Sequence, residues 1–71
     1  MIDISKLEKK DVGVWVKYQD GMGKIEKGRI KSWNNKFIFV VYHCNNEWDR
    51  FQDFTGESTR PEDLDFIEKK K

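Results

Sequence analysis

Over much of this chain, apolar and polar positions alternate with a period of two, the spacing of a strand with one buried face. In VGVWVKY at 12–18, Val14, Val16 and Tyr18 fall on one side while Trp15 and Lys17 fall on the other, which predicts a first strand. Asp20, Gly21 and Gly23 then supply a flexible turn. A second strand is predicted over 24–33 and a third over 37–42, where FIFVVY is apolar at every position, as in a strand covered on both faces. Between them stand Asn34 and Asn35, and asparagine tolerates the positive φ that tight hairpins require, so a two-residue loop is expected. That loop pairs Trp33 with Lys36, Ile30 with Phe39 and Gly28 with Val41. It assigns Ile30, Phe37, Phe39 and Val41 to the core and puts Arg29, Lys31, Trp33, Ile38 and Val40 on the other face.

The remainder is read in the same way. Residues 1–10 hold Ile2, Ile4 and Leu7 between charges, a lead-in segment with one turn whose apolar side chains cap one end of the core. A polar connection covers 44–49, and Trp48, Phe51 and Phe54 follow, interleaved with Glu47, Asp49 and Asp53, before a fourth strand over 53–59. TRPEDL at 59–64 predicts one short helical turn with Pro61 first, where its missing N–H costs nothing. Phe66 and Ile67 make a last short strand ahead of a basic tail at 69–71, so a single domain is expected over 11–68. Five short strands, each with an apolar stripe, predict an all-β barrel.

Size and charge narrow the picture. A chain of 71 residues holds one modest core. Its one cysteine, Cys44, allows no internal disulfide, and a lone thiol fits a reducing cytoplasm. No apolar run approaches the roughly 20 residues of a membrane span. The opening MIDISKLEKK carries charges where a secretion signal has its apolar stretch, so a cytoplasmic location is expected. The net charge of +1 conceals a segregation: residues 1–36 balance at +4, residues 37–68 at −6, and the three terminal lysines restore +3. Adjacent His43 and Cys44 point to opposite faces if the strand reaches them, which separates a nucleophile from its base. With one His and one Cys, metal ligands are too few. Neither enzymatic activity nor a cofactor or metal is expected.

The succession VGVWVKY, KGRIKSWNNKFIFVVY and PEDL followed by DFI resembles the Tudor and KOW group of SH3-like barrels, and more closely short bacterial and phage proteins built on the same barrel. The likeness covers about residues 11–68. It implies a five-stranded SH3-like barrel with one helical turn before the closing strand, acting as a small binding module. Tudor-type barrels hold cationic side chains in aromatic cages, and the positions that answer to such a cage are Trp15, Tyr18, Tyr42 and Trp48. KOW-type barrels contact RNA or associated proteins. The matching surface is a basic hairpin in which Lys27, Arg29 and Lys31 neutralise phosphates while Trp33 stacks on a base. Replacing those three cations with Ala is expected to leave the fold intact. Because the acidic and basic halves nearly cancel, protein or peptide recognition ranks ahead of nucleic acid. No membrane partner is expected, and the chain is read as a monomer or a weak homodimer, with Ile38 and Val40 as the outward apolar face for a second copy. Phe37, Phe39, Phe51, Phe54 and Phe66 are read as core.

Overall fold

The computed structural model describes residues 1–67; the expected basic tail lies outside them. Five antiparallel strands, β1 (Trp15–Gln19), β2 (Ile25–Trp33), β3 (Ile38–Val41), β4 (Glu57–Thr59) and β5 (Leu64–Phe66), form one sheet in the order β4-β3-β2-β1-β5. The all-β expectation holds. The sheet is not closed: β4 and β5 are its terminal strands, joined in sequence by a single 3-10 turn at Pro61–Asp63 with Pro61 leading it. β1 starts later than periodicity suggests because Gly13, at φ +88°, turns the chain first. β4 is also shorter than expected, since Asp53 belongs to a 3-10 segment, Trp48–Asp53. The closing strand is Leu64–Phe66, with Ile67 beyond its end.

The central hairpin corrects the predicted register. Its loop is four residues long, Asn34 to Phe37, and the Asn34 carboxamide oxygen accepts from the Lys36 and Phe37 N–H groups at 2.7 and 2.8 Å. A side chain, and not a positive φ, makes this turn; the left-handed asparagines are Asn45 and Asn46, at φ 53° and 65°. Trp33 therefore pairs with Ile38 and Ser32 with Phe39. A bulge at Lys31 then shifts the ladder by one, pairing Ile30 with Val40 and Arg29 with Val41. One extra residue exchanges the faces of everything beyond it.

The apolar third strand is covered on both sides, as its composition predicts, but by other residues. Ile38 and Val40, expected to face outward, are fully buried with Val16, Ile30 and Leu64 in the main core, capped by Ile2. This removes the apolar face expected for a homodimer. Val41 points the other way, into a smaller cluster with Cys44 and Phe51, roofed by Trp48 and Phe54. Phe37 and Phe66, expected in the core, are each 37% exposed, and Phe39 is half-buried. The lead-in folds as two 3-10 turns, Ile4–Lys6 and Lys9–Asp11, and the Ile2 N–H donates to the Pro61 carbonyl at 3.0 Å. Mid-strand Gly28 permits the close approach of β3: a Cβ there would lie 2.6 Å from the Val41 carbonyl oxygen and 2.7 Å from Val40 Cγ1.

Candidate functional site

The four aromatics expected to share one peptide site separate into two pairs on opposite faces. Trp15 and Tyr18 are three apart on β1, so their side chains diverge. Trp15 meets Trp48 with ring centroids 4.6 Å apart, whereas Tyr18 meets Tyr42 edge-on at 6.2 Å.

The tryptophan side already holds a cation of its own. Trp15, Arg29 and Val41 lie in one cross-strand row, which carries the Arg29 guanidinium between rings, 4.5 Å from the Phe51 centroid and 5.6 Å from that of Trp15. Arg29 Nε donates to the Gly13 carbonyl and Nη1 to the Trp48 carbonyl, both at 2.7 Å. The acids expected to serve a ligand beside Trp48 are partly answered within the chain: Arg50 lies 3.7 Å from Glu47 and 3.3 Å from Asp53. Arg29 thus clasps the 44–54 connection to the sheet.

The basic hairpin is divided as well. Lys31 Nζ donates to the Phe54 carbonyl at 2.7 Å, so two of the three cations expected to meet phosphates are engaged by backbone carbonyls. Trp33, placed beyond the bulge, packs half-buried on the main core and not beside Arg29. Lys27 is exposed and sits directly across from Lys17.

The tyrosine side is open. Tyr18, Glu26, Tyr42, Glu57, Ser58, Thr59, Arg60 and Asp63 surround a cleft of about 340 Å³. Each element contributes for a local reason. The turn after β1 is closed by Asp20, whose Oδ1 accepts from the Met22 and Lys24 N–H groups, and this sets Glu26 directly across from Tyr18. Thr59 Oγ1 lies within reach of two partners, the Glu57 carbonyl at 3.2 Å, to which it donates, and the Tyr42 hydroxyl at 2.9 Å, a contact in which either hydroxyl can donate. Arg60 Nε is bound to Asp63 at 3.1 Å. His43 Nε2 stands 3.3 Å from Glu26, while the Glu57 carboxylate has no hydrogen bond or ion pair among the described residues. Burial foremost, with the charges of Glu57 and Glu26, pushes the Tyr42 hydroxyl above its ordinary value, against the opposing Thr59 hydrogen bond. Tyr42 therefore stays a neutral ring in a negative field. Two tyrosine rings, three carboxylates and one committed arginine suit a cationic guest.

Sequence reading found Tyr18 and Tyr42 but missed Glu26, Glu57 and Asp63, which come from three separate segments. The signal within reach was the Asp20 to Gly23 turn, which brings Glu26 beside Tyr18. Among the described residues no group of three or more His, Cys, Asp or Glu is placed to hold a metal ion, and no helix is long and apolar enough to cross a membrane. Comparison with family models, curated proteins and solved structures finds no significant match.

Proposed function

We propose that this chain is a non-catalytic binding module that recognises a basic side chain of a protein or peptide partner in the Tyr18–Tyr42 cleft. The observation that carries the reading is the convergence of Glu26, Glu57 and Asp63 on a tyrosine pair, where Arg60 is tied to Asp63 and the imidazole of His43 stands beside Glu26. Aromatic faces and carboxylates attract the same ligand, by cation–π attraction and ion pairing. The strand order, and the single 3-10 turn before β5, support the finer reading of an SH3-like fold of the Tudor and KOW kind. Nucleic-acid binding has less support, because Arg29 and Lys31 are spent on backbone carbonyls.

The test is a titration of isotope-labelled protein with Nα-acetyl-argininamide. One exposed cation of this size is expected to bind with Kd of about 1 mM, with amide shifts centred on Tyr18, Tyr42 and Glu57. In the double variant Glu26→Gln with Glu57→Gln, binding should fall at least tenfold while the dispersed spectrum of the folded protein persists. Equal binding by both proteins would reject the cleft.

A further inference from the structure

β4 ends the sheet beside this cleft. Its inner edge pairs with β3 through Ile38 with Thr59, Phe39 with Ser58 and Val40 with Glu57, and its outer edge pairs with no strand among the described residues. Exposed edges are commonly blocked by lysine, proline or a bulge. β4 reads Glu57-Ser58-Thr59 and has none of these; it is three residues long and its one charge, on Glu57, is an acid that bars an acidic strand and admits a basic one, while Pro61 comes only after the strand has ended.

The pleat links the edge to the cleft. Glu57 and Thr59 are two apart and share a face of the sheet, and Thr59 holds the Tyr42 hydroxyl on that face. A strand laid along β4 would place residues opposite Glu57 and Thr59 on the cleft side, and the residue opposite Ser58 on the reverse side, in the row of Phe39. We propose that the partner is an extended, basic peptide segment that adds to the free edge of β4 as a sixth strand, placing a Lys or Arg side chain in the cleft against the Tyr18–Tyr42 pair. Charge complementarity chooses this occupant: Glu26, Glu57 and Asp63 face the added strand and repel an acidic one. Backbone pairing supplies affinity, and the cleft selects a basic residue at alternate positions. The inference rests on the cleft reading above and adds the mode of docking.

The test uses the pentapeptide acetyl-Thr-Arg-Val-Arg-Thr-amide in three forms: unmodified, N-methylated at the two arginine amides, and N-methylated at the other three. A strand has two edges, and only one can face β4. The unmodified peptide is expected to bind at least tenfold more tightly than Nα-acetyl-argininamide. One methylated form should lose at least tenfold in affinity while the other retains it, and amide exchange in β4 should slow in the complex. Equal losses in both methylated forms would overturn strand addition, as would a peptide no tighter than the single amino acid; both leave the cleft standing. If neither the peptide nor Nα-acetyl-argininamide binds, the cleft reading falls and strand addition with it.

Discussion

At the scale of single residues, Arg29 does the opposite of what its charge suggests. In the sequence it stands among lysines on a β hairpin, where it reads as a phosphate ligand. In the fold its guanidinium lies against Phe51 and donates to the carbonyls of Gly13 and Trp48. Arg29→Ala leaves those carbonyls without their charged donor and is expected to cost about 2–4 kcal/mol. In a chain this small that is a fall in Tm of roughly 10 °C or more, readable by thermal melting. Lys27→Ala should stay within about 0.5 kcal/mol, as an exposed substitution does. The triple replacement of Lys27, Arg29 and Lys31 is thus expected to damage the fold, contrary to the sequence expectation, and a melt matching wild type would show the clasp to be unimportant. Tyr42 gives a second residue-scale test. Its hydroxyl ionises less readily in the folded protein than at its ordinary value of 10.0, so its stabilising share is complete below that pH and is lost as pH rises above it. Denaturant midpoints should decline from about pH 10 upward, and Tyr42→Phe should flatten that decline relative to wild type while costing about 1 kcal/mol at neutral pH for the lost Thr59 bond.

At the scale of elements, the strands were legible and their register was not. Period-two alternation located β1, an unbroken apolar run located β3, the hairpin reading around Asn34 and Asn35 gave β2, and Pro61 announced the turn before β5. The faces of β3 failed because they depend on two details without a period: the Asn34 side chain that lengthens the loop, and the bulge at Lys31. A loop two residues longer keeps the faces, but a one-residue bulge exchanges them, which is why Ile38 and Val40 are core and Phe37 is not. The reading of asparagine was sound in principle and misplaced by eleven residues, since Asn45 and Asn46, in place of Asn34 and Asn35, take the left-handed conformation. Gly28 marks where two strands approach too closely for a side chain. Gly28→Ala forces a Cβ against the Val41 carbonyl, and about 3 kcal/mol of destabilisation is expected in urea unfolding. A neutral result would mean that β3 can move aside.

At the scale of the whole molecule, one cleft draws on both electrical halves of the sequence. Glu26, from the basic half, joins Glu57 and Asp63, from the acidic half, around one cleft, because pairing of β1 with β2 and the return of the chain through β4 bring them together. Tyr18 and Tyr42 could be named from sequence because the resemblance to Tudor-type barrels directs attention to aromatic rings near strand ends. Their acidic neighbours could not, since acids are plentiful and their selection is made by topology. Binding at this cleft should weaken as ionic strength rises, because its carboxylates are only partly shielded from solvent. Affinity for Nα-acetyl-argininamide that is unchanged between low and moderate salt would leave the carboxylates without a role.

The two clusters on either side of the sheet give the protein a built-in reporter. Cys44 is 2% exposed, shut beneath the connection that Arg29 fastens. A thiol reagent can reach its sulfur only when that connection lifts, so the speed of labelling counts the openings of one flank of the molecule, and comparison with the global unfolding rate tells whether the flank lets go by itself or only together with the rest.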